Sequence, residues 1–271
     1  MITIGYILGI LIGVVLGLFG AGGAIIAFPV LVYFMGINPE TAGMYSLIIV
    51  GIASLTGVIK QVRNSLIDFN KALKFILPVL INFYVVKYLI LPSIPDIIYS
   101  IQSVVIRKNH LIMLLFVVVL SVIIVNMLKG LNNNESTENS TTNNTNFFQY
   151  LLKTSFVGIL AATIGAGGGF IIVPALIKIY NMPIKNATAT SLLIIFINAL
   201  FGTIINFSSF ESQHITTILL FSLLSILGIF IGTYLNNITN AIVLKKSYAY
   251  FLIIVLISTL TTEIYKLTQH Q

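Results

Sequence analysis

Long apolar runs separated by short polar or glycine-rich breaks recur along the whole chain. Residues 4–19 are apolar and carry Gly5, Gly9, Gly13 and Gly17, a four-residue spacing that lets a neighbouring helix approach closely. The run Gly20-Ala21-Gly22-Gly23 then interrupts the helix. Residues 25–36 follow as a segment of about 18 Å at 1.5 Å per residue, too short to cross a bilayer comfortably. Turn residues at 36–40 lead into a span over 42–59, and a further span over 73–91 stops at Pro92-Ser93-Ile94-Pro95. Residues 96–106 are brief and amphipathic with Asp96 in the first turn, which predicts an interfacial helix. After an apolar run over 111–128, the pattern vanishes into an Asn/Ser/Thr-rich linker, residues 130–147. It then resumes as a segment over 149–180, broken at Gly165-Ala166-Gly167-Gly168-Gly169, and spans over 187–206, 215–235 and 248–266.

The second half repeats the first. Gly20 and Gly165, Pro29 and Pro174, Ser46 and Ser191, and Gly57 and Gly202 are all separated by 145 positions. Residues 20–57 and 165–202 share 14 identities in 38 ungapped positions, and Gly13 with Gly158 extends the match upstream. The chain therefore divides into a first transmembrane repeat over 1–129, the linker, and a second repeat over 148–271, together one membrane domain.

Composition agrees with this pattern. Hydrophobic residues make up 58% of the chain and charged ones 8%, at a mean hydropathy of +1.05; soluble domains are about a quarter charged. A length of 271 residues allows about eight to ten membrane segments. The reading is an all-α integral membrane protein: a polytopic helical bundle built from two inverted repeats with glycine-broken helices. It is expected to be multi-pass in the cell (inner) membrane, with no basic leader before the first helix.

The net charge of +7 comes from residues scattered at segment ends, which fits membrane orientation better than a nucleic-acid partner. If each broken segment enters and returns, ten basic residues share one side: Lys60, Arg63, Lys71, Lys74, Lys129, Lys153, Lys178, Lys185, Lys245 and Lys246. Lys87, Arg107, Lys108 and Lys266 fall on the other. That bias marks the first side as cytoplasmic and makes the halves inverted. If each broken segment crosses once and 96–106 does not cross, the halves are parallel and the basic residues split seven to seven; single crossings with 96–106 counted as a span also give ten to four but need an eleven-residue crossing.

The chemistry that the chain lacks narrows its function. With no cysteine it has no disulfide, iron–sulfur cluster or thiolate zinc site. His110, His214 and His270 lie near segment ends, so neither metal nor cofactor is expected. The seven acidic residues also lie in loops or near segment ends. No carboxylate pair for hydrolysis and no intramembrane relay for a proton-coupled cation pump is visible. The reading is a transporter rather than an enzyme.

The glycine breaks are the candidate site. Backbone cannot face lipid unpaired, so each break must face protein or a protein-lined cavity. Bare amides at Gly20, Gly22 and Gly23, and at Gly165, Gly167, Gly168 and Gly169, can converge on an anion at the start of the following helix. Hydroxyl groups of Tyr45, Ser46, Thr190 and Ser191 can orient it, or can serve only as caps and back-bonds to their own helices. Asn198 is a further candidate contact, and Asn82, Asn198 and Asn206 can equally bond between helices. Pro29 and Pro174 predict kinks that free carbonyls. Lys87 is expected to snorkel, and Tyr84, Tyr88, Tyr248 and Tyr250 to form an interface belt.

Gly-x-Gly-Gly-Gly followed by Val173-Pro174, then Ala187-Thr188-Ala189-Thr190-Ser191-Leu192, duplicated across the apolar segments, resembles the TauE/SafE family over nearly the full chain. The second copy matches at Gly165, Gly167, Gly168, Gly169, Pro174, Thr190 and Ser191. The first departs, with Ala24 for the last glycine, Phe28 before the proline, and Gly43-Met44-Tyr45 before Ser46. The resemblance implies a carrier moving small sulfur-containing anions such as sulfite, thiosulfate or sulfonates across the cytoplasmic membrane. The reading is a secondary carrier that moves a small anion by alternating access, with export the direction that the resemblance to exporters implies. A passive anion channel and a non-transporting membrane scaffold are the alternatives, and neither substrate, coupling ion nor oligomeric state follows from the sequence.

Overall fold

The structure is a computed structural model that describes residues 2–90, 93–95, 97–101, 104–132, 147–164, 169–207 and 214–269. Helix α1 (Ile2–Phe19) is followed by α2 (Gly23–Pro29), which continues as a π-helical turn over Val30–Phe34. Then come α3 (Pro39–Arg63) and α4 (Phe69–Val85), the latter also extended by a π turn, Val86–Ile90. After a short hairpin of β1 (Ile97–Ile101) and β2 (Val104–Arg107), α5 (Lys108–Asn132) closes the first half. The second half holds α6 (Phe147–Ile164), α7 (Gly169–Tyr180), α8 (Ile184–Ile205), α9 (Ile215–Ile238) and α10 (Ala241–Gln269). Among the described residues, six helices are long and apolar enough to cross a membrane, and the two broken segments supply shorter apolar helices. The protein is a helical, multi-pass membrane protein.

Small residues bring α1 and α9 together. A Cβ at Gly13 would collide with the Ser225 carbonyl, and one at Gly17 would lie 2.7 Å from the Ile229 carbonyl oxygen. From the other side, Gly228 faces the Ile10 carbonyl and Gly232 the Val14 carbonyl. Without side chains in between, the two backbones gain close dispersion contact where hydrophobic burial offers no drive. Gly9 meets Phe221, Gly13 meets Ser225 and Gly17 meets Ile229, so the two helices run parallel. Gly5 instead meets Met35, while Gly23 meets Leu16 and Ile12. The α2 segment therefore turns back along α1.

At the centre, α3 and α8 pack with opposite run. Gly51 meets Ala199, Gly202 meets Leu47, and Gly57 meets Leu192. The last two contacts are reciprocal: Leu192 stands 145 residues after Leu47, and Gly202 stands 145 after Gly57. Helices α4 and α6 run parallel, with Gly158 against Val79 and Asn82, and Lys71 and Lys74 near Tyr150.

Apolar residues left uncovered lie on the outer faces, as expected of lipid-facing helices. Leu73, Leu77, Ile81 and Tyr84 form one such stripe on α4, and Leu111, Leu114, Val118, Val122 and Val125 another on α5. Tyr84, Tyr88 and Tyr250 are also exposed.

Two expectations are corrected. Residues 97–107 form a hairpin rather than an interfacial helix, pairing Ile97 with Arg107 and Ile101 with Val104 around a bulge between Ile97 and Tyr99. Ile97, Ile98, Tyr99, Ile101, Val104, Val105 and Ile106 are β-branched or aromatic, and pairing satisfies their backbone locally. Tyr248 does not join an interface belt. It is 1% exposed, and its hydroxyl donates to the Phe170 carbonyl at 2.8 Å, because a phenol inside a bundle needs a partner and Pro174, four residues on and without an N–H, leaves that carbonyl free. The side chain of Lys87 and residues 133–146 of the linker lie outside the described residues.

Gly13→Ala and Gly228→Ala are each expected to destabilise the protein by about 1–3 kcal/mol through overpacking against backbone. Gly43→Ala, where a Cβ would meet nothing within 4 Å, should leave stability unchanged. Thermal melts in detergent followed by circular dichroism will compare the three, and equal midpoints would count against the close α1–α9 approach.

Candidate functional site

The first glycine break is held by side chains from the second half. Gly20 and Gly22 have φ of 62° and 92°, backbone that a side chain would strain. Space closes the same positions, since a Cβ on Gly20 would strike the Thr188 carbonyl and one on Gly22 would lie 2.7 Å from the Phe251 ring. Where α1 stops, its last carbonyls lose their helical donors. Ser191 donates to the Gly20 carbonyl, and Asn236 Nδ2 donates to the Leu18 carbonyl at 2.6 Å and to Thr188 Oγ1 at 3.1 Å. Ser191 and Asn236 are both fully buried.

The two breaks meet. The Cβ position of Gly169, the first residue of α7, lies 3.7 Å from the Gly22 nitrogen. Beside this contact a cavity of about 20 Å³ is lined by Leu16, Gly22, Leu47, Val50, Gly169, Ile195, Asn198 and Ala199. Val50 and Ile195 are repeat equivalents, 145 positions apart, whereas Asn198 corresponds to Ala53. The cavity is thus apolar on both sides with one amide contributed by the second half. Asn198 Oδ1 is buried and has no hydrogen-bond partner, a costly state for an acceptor away from water. At the start of α2 the Ile25 and Ile26 amides bond to the Gly22 carbonyl. Gly22, Gly169 and Asn198 therefore border one small space that holds about one water molecule.

The remaining candidates sit elsewhere around the break. Thr190 is fully buried and its hydroxyl accepts from the Asp68 amide at 3.1 Å, tying α8 to the loop before α4. Asp68 in turn caps α4 by accepting from the Lys71 amide. Ser46 donates back to the Gly43 carbonyl. Tyr45 is fully buried with its ring edge-on to His214. Gly23 begins α2 against Leu16. Pro29 precedes the π turn of the first half, and Pro174 lies inside α7. Gly165, Gly167 and Gly168 lie outside the described residues. The three asparagines separate: Asn82 Nδ2 bonds between helices to the Ser155 carbonyl, Asn206 closes the end of α8 on the Gly202 carbonyl, and Asn198 borders the cavity.

Comparison with known proteins agrees with this architecture. The chain matches the family described as sulfite exporter TauE/SafE over residues 6–259. It belongs to the TauE/SafE family. Among its relatives, a "Probable membrane transporter protein YunE" of Bacillus subtilis is 24% identical over 265 residues, covering 93% of each chain. A "Probable membrane transporter protein" of Xylella fastidiosa is 28% identical over 248 residues, covering 89% of this chain and 86% of the relative. No solved structure matches. The TauE/SafE chain is accordingly a membrane transporter that works in a lipid bilayer on a small substrate.

Asn236 is the residue of this TauE/SafE site that spacing alone does not single out. It stands in the last turns of an apolar span, and the signal that marks it is its polarity together with Ser225, Gly228 and Gly232 on the same helix. Besides local bonds, Thr188 and Asp68 each join a partner more than 45 residues away in sequence.

Ser191→Ala removes a buried donor and should cost about 1–3 kcal/mol of stability. Asn198→Leu removes an acceptor that has no partner and should raise the melting midpoint or leave it unchanged. Differential scanning calorimetry of the purified protein reads both, and a lowered midpoint for Asn198→Leu would mean that its amide supports the fold.

Proposed function

We propose that the chain is a secondary carrier that exports small sulfur-containing or organic anions, of the sulfite, thiosulfate and sulfonate class, across the cell (inner) membrane by alternating access. The observation that carries this reading is the apposition of Gly22 and Gly169 beside Asn198, whose Oδ1 has no partner. The N-termini of α2 and α7 are positive helix ends, where a small anion is favoured. A protonated oxyanion suits the whole set. Its charged oxygens accept from the backbone amides while its O–H donates to Asn198 Oδ1, which gives that acceptor the partner it lacks. The family's description as sulfite exporters supports both the ligand class and the direction.

In this reading residues 1–129 and 148–271, joined by the linker 130–147, are inverted repeats. The reciprocal pairs Leu47 with Gly202 and Leu192 with Gly57, the opposed run of α3 and α8, and the ten-to-four bias of basic residues support it. A cavity of about 20 Å³ is too small for an oxyanion, so the halves must part to admit one. That closure supports a gated carrier over a permanently open pore.

Reconstituted into liposomes, the protein should show saturable sulfite flux. Asn198→Leu and Gly169→Val should each lower that flux about tenfold or more, on the scale of a lost charge-assisted hydrogen bond, with insertion unchanged. Wild-type flux in both variants would sink the site assignment, and flux that rises linearly without saturation would favour a channel.

Orientation can be read separately, because the chain has no cysteine. Asn64→Cys and Asn240→Cys should react with an impermeant maleimide from one side of the membrane, and Ser93→Cys from the other. Ser93 and Asn240 occupy nearly equivalent repeat positions, so labelling of both from the same side would favour parallel repeats.

A further inference from the structure

On the face that carries most of the basic residues, Lys71, Lys74, Tyr150, Leu151 and Tyr180 enclose a cavity of about 210 Å³. It is smaller than the roughly 300–1,000 Å³ of drug-sized sites and far larger than the space at the glycine breaks. The Tyr150 and Tyr180 rings stack at 5.5 Å and form an aromatic wall. Lys71 shares its charge with Asp68 at 3.3 Å, whereas the Lys74 ammonium has no partner among the described residues. The Thr154 hydroxyl donates to the Tyr150 carbonyl, so the Tyr180 hydroxyl, 3.3 Å away, is left to donate to Thr154. Both lysine ammonium groups and the Tyr150 phenol therefore remain as donors for a ligand.

At the corresponding place in the first half the lining residues differ. Tyr150 and Tyr180 correspond, at the 145-residue offset, to Gly5 and Met35. There the Met35 sulfur packs 2.9 Å from where a Gly5 Cβ would stand, and the space is filled. Packing within the repeat thus does not require an opening at this place. The second half opens it with aromatic walls, and α4 brings two cations to it. A site at the polar end of a bundle with net positive charge and aromatic sides selects an oxyanion: ammonium groups bind it as point charges, and tyrosines belong at the membrane–water boundary.

We infer that this cavity is a second anion site, separate from the glycine breaks, that takes a phosphate-type oxyanion at the cytoplasmic surface. Only its assignment to the cytoplasmic side rests on the proposed topology. The same chemistry can come from an anionic phospholipid headgroup or from a free oxyanion in solution.

Full-length protein in nanodiscs distinguishes them. Melting midpoints are compared in pure phosphatidylcholine, with added phosphatidylglycerol, and in phosphatidylcholine with inorganic phosphate, for the wild type, for Lys71→Gln/Lys74→Gln and for Tyr150→Phe. The expected result is stabilisation by one of the two oxyanion sources. Apparent affinity should be about tenfold weaker in the double variant, on the scale of a surface lysine pair, and weakened less in Tyr150→Phe. A rise with phosphatidylglycerol alone assigns the lipid headgroup, and a rise with phosphate assigns a free ion. Equal midpoints in pure phosphatidylcholine establish that the double variant is folded. If the wild type and the folded double variant respond identically to both sources, the site is overturned. That outcome is independent of transport, because sulfite flux in liposomes tests the glycine breaks alone.

Discussion

Backbone carbonyls freed at a helix end inside a bilayer must be given donors, and the arrangement around the first glycine break follows from that constraint. Leu18 and Gly20 present such carbonyls. Their donors, Asn236 and Ser191, stand on α9 and α8. A 2.6 Å bond from Asn236 holds the end of α9 against α1, and the glycines along both helices make that approach possible over most of their length. The helix break and the small-residue seam are thus two parts of one solution: a side chain larger than hydrogen at Gly13 or Gly228 would push away the donor that the break depends on.

The same solution is not applied everywhere. Ser191 and the Asn236 Nδ2 donor satisfy the backbone on one side of the break, while the Oδ1 acceptors of both Asn236 and Asn198 stay buried without a partner, the latter where the break meets α7. A fold selected for stability alone would place an apolar residue there, as the first half does with Ala53. Cost of this kind gathers at functional sites, where a ligand supplies the missing partner. Asymmetry recurs where Tyr150 and Tyr180 line a cavity beside two lysines while their counterparts Gly5 and Met35 pack together. Duplication supplied two similar frames whose polar residues differ in both directions: Asn198 stands where the first half has Ala53, and Ala199 where it has the buried Ser54.

Much of the architecture is legible in the chain. Apolar length marked the spans, since lipid admits few other backbones than helices, and the 145-residue repeat marked the two breaks as equivalent. Four-residue glycine spacing announced a close helix contact but not its partner, because α9 lies some 210 residues downstream. The hairpin at 97–107 escaped the pattern for a local reason. In a segment this short, amphipathic spacing fits a helix while β-branched composition fits a strand, and pairing decided between them.

Residue types and their spacing by themselves determined a polytopic helical membrane protein with a duplicated glycine break, because hydropathy and repetition are properties of the chain alone. Which polar side chain does what was decided only in three dimensions. Thr190 and Ser191 are neighbours in one motif, yet one ties down the α3–α4 loop and the other the broken end of α1. Asn82, Asn198 and Asn206 look alike in their spans, yet one bridges helices, one borders the cavity and one closes its own helix. A hydrogen bond depends on what stands within about 3 Å, and in a bundle folded from distant segments that neighbour is set by packing rather than by sequence position.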